Sequence, residues 1–277
     1  MSQTLRSAFD RVIGRENRRT AMRRGTTHRI ENFESKILGN TRNLTIYLPP
    51  GYDERDGRRY PVLYMQDGQN LFDPRLAFGG NPWRLGEAAD TVIGNRTAEP
   101  MIIVGVDNMG TARIDEYTPA RDAANGGGGR ADDYGRMLAE EVKPLVDAGC
   151  RTLPDANNTA IGGSSLGGLV SLYLALRRPD VFRRAAVISP SVWWKNRMIL
   201  GEVDRFESGP RPRIWMDVGG KEGREAVADG RALNKRLRAN GWNDTNYRFH
   251  EEKRGDHSER SWASRAPMML EFLFGSE

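Results

Sequence analysis

Gly163-Ser164-Ser165-Leu166-Gly167 has the form G-x-S-x-G. The short apolar run Thr159-Ala160-Ile161-Gly162 precedes it. Leu169-Val170-Ser171-Leu172-Tyr173-Leu174-Ala175-Leu176 follows and reads as a buried helix. Strand, tight turn and helix in that order hold a serine hydroxyl out of the turn on strained backbone. Small flanking residues let the strand and the helix approach closely. Ser165 is therefore the expected nucleophile. Ser164 stands one position off the motif and is expected to support the turn.

Outward from this stretch, strand and helix patterns alternate. Strands are expected over 28–37, 41–48, 60–66, 100–106, 158–163, 184–190, 211–218 and 245–251. Helices are expected over 84–94, 131–148, 166–177, 225–239 and 260–273. Gly39-Asn40 joins the first two strands as an antiparallel hairpin. The later strands alternate with helices, which predicts an α/β fold whose mostly parallel central sheet is covered on both faces. Pro144 should kink or split the 131–148 helix. The run Ala123-Ala124-Asn125-Gly126-Gly127-Gly128-Gly129 should be a mobile loop without regular structure, placed to act as a flap near the pocket. No large helical insertion separates Ser165 from the C-terminal histidine, which argues against a large lid.

A serine nucleophile needs a base. The chain has three histidines, His28, His250 and His257. His28 opens an early strand and His250 sits in an alternating strand pattern. His257 follows the last strand and precedes the last helix, where this architecture places its base. The acid should fall between serine and histidine. Glu222 lies just past the strand that ends at Gly219-Gly220 and is the first choice; Asp217, inside that strand, is second and Asp229, on a helix, is third. The acid fixes the imidazole tautomer and stabilises the imidazolium. Oxyanion donors are expected from the amide of Leu166 and from Gly68 or Gln69, in the loop after Tyr60-Pro61-Val62-Leu63-Tyr64-Met65. Trp83, Tyr117, Trp193 and Trp194 follow strand ends and are the candidates to wall a substrate pocket.

Composition narrows the class. The chain has 277 residues, enough for one full core. No apolar stretch reaches the length of about 18 residues that a membrane span needs. With no signal-peptide pattern and a single cysteine, Cys150, a cytoplasmic location is expected. Seven of the 42 basic residues and two of the 37 acidic ones fall in residues 1–25, leaving 35 of each in the remainder. The whole net charge of +5 thus lies in a basic arm over 1–25, ahead of a catalytic domain over 26–277. Leu5, Phe9, Val12 and Ile13 have helical spacing in that arm. No aromatic interleaving or motif supports nucleic-acid recognition.

The motifs taken together resemble the putative-esterase family of α/β-hydrolases, which includes enterochelin-type, feruloyl and S-formylglutathione esterases. The resemblance rests on Leu63-Tyr64-Met65-Gln66-Asp67-Gly68-Gln69-Asn70-Leu71-Phe72, Gly162-Gly163-Ser164-Ser165-Leu166-Gly167-Gly168, Val218-Gly219-Gly220-Lys221-Glu222 and Gly255-Asp256-His257-Ser258-Glu259-Arg260-Ser261-Trp262. Val104-Gly105-Val106-Asp107-Asn108 with Arg113, Glu116 and Tyr117 matches a further loop. Gln66 stands where the family often has His. The resemblance implies an α/β-hydrolase fold, a His257 base and a Glu222 acid. It implies a serine carboxylic-ester hydrolase for short-chain, sugar-linked, aromatic-acid or siderophore esters, working without metal or cofactor. Acyl transfer, or hydrolysis of a thioester, is the alternative. A purely binding role would require a missing triad member, and none is missing. The expected partner is a small-molecule ester; self-association as a homo-oligomer stays open.

Overall fold

The computed structural model describes residues 24–53, 57–206 and 209–275. The expected arm over 1–25 therefore lies, but for its last two residues, outside the described residues. The eight strands are β1 (Thr26–Ser35), β2 (Asn40–Leu48), β3 (Val62–Gln66), β4 (Ile102–Val106), β5 (Thr159–Ser164), β6 (Arg184–Ile188), β7 (Arg213–Gly219) and β8 (Tyr247–Glu252). They form one sheet in the order β1-β2-β4-β3-β5-β6-β7-β8. β2 runs antiparallel to β1 and β4, and every other neighbouring pair is parallel. This is the α/β-hydrolase arrangement, with the expected hairpin at one edge.

The strand pattern follows from burial. Every residue of β3, β4 and β5 is buried, so these strands read as unbroken apolar runs. Successive residues still point to opposite faces. Tyr64, Ile161, Val187 and Met216 join one apolar layer, while Leu63, Ala160, Ala186 and Trp215 join the other. The second layer is closed by α1 (Leu85–Gly94) and the C-terminal α8 (Glu259–Phe274), which pack on each other. The first is covered by α3 (Ala131–Arg136), α4 (Lys143–Gly149), α5 (Leu166–Arg177), α6 (Trp194–Asp204) and α7 (Arg224–Ala239); the four-residue α2 (Arg113–Glu116) lies beyond β4. α5 is buried almost all round, which its continuous apolar sequence requires.

Of three local features, one follows the sequence reading and two differ from it. The 131–148 helix is divided, as Pro144 led one to expect, by a π-helical segment, Met137–Val142, which ends two residues before that proline. The wider turn accommodates a residue that has no N–H and whose ring crowds the carbonyl four residues back. The glycine run is a pinned turn. Asp122 and Gly127 exchange two backbone hydrogen bonds, of 2.6 and 3.1 Å, and the Gly128 N–H donates to Asp115 Oδ1 at 2.6 Å. The third feature is α6, which was not foreseen. It opens with Lys195, Asn196 and Arg197 at φ of 45°, 53° and 62°, a left-handed turn that no helical signature announces. It packs against α5 and α7, within the helical layer. Among the described residues no helix is long and apolar enough to cross a membrane.

Candidate active site

The site is assembled at the C-terminal ends of adjacent parallel strands. Ser165 follows β5 and caps α5 with φ 59° and ψ −122°, a conformation that L-residues rarely adopt. Its N–H donates to the Ile188 carbonyl at 3.0 Å, and its carbonyl accepts from the Ser191 N–H at 3.0 Å. The turn is thus fixed to the end of β6. Ser165 Oγ lies 3.2 Å from Ser191 Oγ. Among the described residues no hydrogen bond joins Ser165 to His257.

His257 and Glu222 are in contact. His257 Nδ1 is 2.8 Å from Glu222 Oε2, with the histidine side chain 44% exposed and the carboxylate buried. Burial acts to raise the Glu222 pKa, but hydrogen bonds from His257, Ser189 and the Gly219 N–H outweigh it and hold it below the usual carboxylate range. An ionised carboxylate only accepts hydrogen bonds, so Nδ1 carries a proton, and in the neutral ring that tautomer leaves the Nε2 lone pair free. The loops that carry the two residues are stitched together. The Gly220 N–H donates to the Glu252 carbonyl and the Lys221 N–H to the Gly255 carbonyl, each at 2.8 Å. A β-carbon on Gly219 would strike the Gly255 carbonyl, so the approach requires glycine there.

The two other carboxylates are engaged elsewhere. Asp217 accepts from Trp215 Nε1 at 2.9 Å and pairs with Arg265 Nη2 at 3.0 Å, all in the interior. Asp229 pairs with Arg197 at 2.6 Å. His250 stacks on Trp215 at the sheet edge, with ring centroids 5.8 Å apart. His28 lies on β1, beside Thr26.

The loop after β3 crosses the site's other side. Asp67 takes φ 55°, and its carboxylate receives a two-pronged contact from Arg113, at 2.6 and 2.7 Å, and a bond from Asn108 Nδ2 at 2.7 Å. Gly68 lies against β4. A β-carbon there would come within 2.5 Å of the Gly105 carbonyl carbon. Gln69 faces the same loop, its Oε1 accepting from the Asn108 N–H at 3.2 Å. The Leu166 N–H is in the first turn of α5, where backbone donors lack intrahelical partners.

Of the four aromatic residues expected to wall a pocket, three are interior. Tyr117 is fully buried, and its hydroxyl accepts from the Asp67 N–H at 3.2 Å, so it supports the loop. Trp83 is buried against Trp262, with centroids 5.7 Å apart. Trp194 is buried, with Nε1 donating to the Ala120 carbonyl at 2.8 Å. Only Trp193 offers surface, at 49% exposure. The correction has one cause: strand-end position fixes where a side chain starts, while the following turn decides which way it points. Sequence reasoning also passed over Ser189, Ser191 and Arg265. Ser189-Pro190-Ser191 stands directly beyond β6, which was the available signal. Cys150 is no rival nucleophile, since burial pushes its thiol up to about 12.

Residues 35–273 match the model of the family described as Putative esterase. "Uncharacterized protein YbbA" of Bacillus subtilis is 26% identical over 253 residues, 87% of this chain and 96% of the relative. Ferri-bacillibactin esterase BesA of the same organism is 31% identical over 159 residues, 54% of each chain. The solved structure of BES protein from Bacillus cereus superposes with a TM-score of 0.71 at 22% identity, over 95% of this chain and 98% of that one, which establishes likeness of fold. With the match spanning strands β2 to β8 and their strand-end loops, the chain belongs to the Putative esterase family of α/β-hydrolases and is an ester hydrolase.

Proposed function

We propose that the chain is a serine carboxylic-ester hydrolase in which Ser165, His257 and Glu222 act as a triad. The observation that carries this reading is the 2.8 Å Glu222–His257 hydrogen bond, at the same sheet end as the strained Ser165 turn. Substrate binding rotates the Ser165 hydroxyl from Ser191 to His257 Nε2; catalytic hydrogen bonds commonly tighten only in the complex. His257 takes the serine proton as Oγ attacks the ester carbonyl. The amides of Leu166 and of Gly68 or Gln69 receive the oxyanion, helped by the positive end of α5. The imidazolium, stabilised by Glu222, protonates the leaving alcohol. A water then enters, loses a proton to His257 and releases the acid from the acyl-enzyme.

The substrate is an ester of a small or ring-bearing acid. Trp193 supplies an exposed indole face, and α6 is packed into the helical layer instead of roofing the site. Ferri-bacillibactin esterase BesA, matched over 54% of each chain, supports an ester substrate. A fluorophosphonate should label Ser165 and no other serine. Along a p-nitrophenyl ester series, kcat/KM should peak at about two to four acyl carbons and decline gradually, because each methylene is worth only about 1–3 kcal/mol. A maximum at long-chain esters, or labelling that survives Ser165→Ala, would contradict the assignment.

A further inference from the structure

We propose that Ser189 is a positioning residue for the acid of the triad, acting through Glu222 without touching substrate. The inference rests on the triad reading above. Ser189 stands one residue beyond β6, is buried, and holds φ at 42°. Its N–H donates to the Asp217 carbonyl at 3.0 Å, which locks this backbone onto β7. Its hydroxyl oxygen faces three groups. Trp262 Nε1 and Arg265 Nη2 each lie 3.0 Å away, and Glu222 Oε1 lies 2.5 Å away.

A hydroxyl has one proton and two lone pairs. Indole and guanidinium nitrogens can only donate, so both lone pairs are taken. The single proton then has one acceptor left, Glu222 Oε1. The direction of this bond is set by its surroundings, and the serine cannot turn away. The Gly219 N–H donates to the same oxygen at 2.7 Å. With Oε1 held by these two donors, Oε2 is left for the His257 ring N–H. The carboxylate plane and the aim of Nε2 therefore depend on the Ser189 hydroxyl together with the Gly219 N–H. Arg265 is itself anchored by Asp217 at 3.0 Å, and Trp262 meets the His257 ring edge-on at 5.0 Å. The same two donors that fix Ser189 are thus fixed from beneath and beside the site.

Ser189→Gly removes the hydroxyl and relieves the positive φ; Ser189→Ala removes it and keeps a β-carbon. Each should be assayed as the full chain with p-nitrophenyl acetate. Active sites should be counted by exhaustive fluorophosphonate labelling, so that misfolded protein is excluded from the rate. The expected result is a fall in kcat per labelled site of about 10-fold to 100-fold, with KM within about threefold, as misaimed catalytic groups produce. The far-downfield proton resonance of the His257 ring N–H should shift or broaden in both variants. Unchanged kcat per labelled site with an unchanged resonance would overturn the proposal, as would a loss confined to the number of labelled sites. Glu222→Gln separates the two readings. If it leaves both activity and resonance intact, the triad assignment fails. If it abolishes both while the Ser189 variants match the parent, the triad stands and the role of Ser189 is wrong.

Discussion

Arg265→Met tests the interior beneath the site. Arg265 and Asp217 are both essentially inaccessible to solvent and 3.0 Å apart. At that separation and an effective dielectric of about 20, their attraction is roughly 5 kcal/mol. Removing one partner of a buried pair leaves the other uncompensated, at a cost of about 3–5 kcal/mol. For a domain of this size that is a fall in Tm of roughly 6–20 °C. The loss should depend on pH, with a definite sign. Burial raises the Asp217 pKa above its ordinary value, while Arg265 and the Trp215 N–H pull it down. A carboxyl with a raised folded pKa favours folding when protonated, so its contribution is present in acid and is lost as pH climbs through the folded value. Without Arg265 that value climbs further. The deficit of Arg265→Met should therefore be largest near neutrality and shrink on acidification, while that of Asp217→Asn, which strands the arginine, should not recover. Thermal unfolding at about pH 5 and about pH 7.5 separates the cases. A Tm loss below roughly 3 °C, or an equal loss at both pH values, would refute the reasoning.

Ser165→Ala should leave circular dichroism unchanged and lower kcat by about 10⁴-fold or more; adding His257→Ala should cost little beyond that, because nucleophile and base act as a unit. Gly68→Ala drives a methyl into the Gly105 backbone and displaces the expected oxyanion donor, so kcat should fall about 100-fold to 1,000-fold while aromatic-ester KM changes little. Steady-state kinetics on p-nitrophenyl acetate and benzoate checks it, and near-parental turnover would remove Gly68 from that role. Trp194→Ala should cost about 3–5 kcal/mol in denaturant unfolding, whereas Trp193→Ala should stay within about 0.5 kcal/mol and instead raise KM for ring-bearing esters.

The sheet was legible because parallel strands buried on both faces leave uninterrupted apolar runs, and each expected strand falls within two residues of its observed bounds. α5 was legible for the same reason, since nothing in Leu166–Arg177 except its last residue faces water. α6 was not, because three consecutive left-handed residues precede its regular turns and carry no glycine to mark them. At the site, motif order put forward Ser165, Glu222 and His257 as candidates, and the last two meet across 35 positions of chain. The supporting residues were hidden by their ordinary character. Arg265 falls on the Trp262, Ala266 and Met269 stripe of α8, and a charged residue on an apolar stripe was the overlooked sign of a buried partner. Ser189 carried no such sign, since hydrogen-bonding geometry around a lone hydroxyl exists only once three separate elements have converged.

The adjacent tryptophans after β6 divide their labour in a way that bears on how such a protein changes over generations. Trp194 is clamped in the interior, with its indole N–H on the Ala120 carbonyl and its ring against the Gly128 turn. Trp193, the preceding residue, meets that ring at 5.6 Å and is half exposed to solvent. The anchor fixes where the neighbouring backbone sits, whatever side chain the neighbour carries. On the proposed reading, replacing residue 193 redraws the rim of the site while the folding core is untouched. A lineage under pressure for a new ester can sample many side chains there at little cost in stability. Specificity becomes the most easily revised property of this fold, and the machinery beneath it the least.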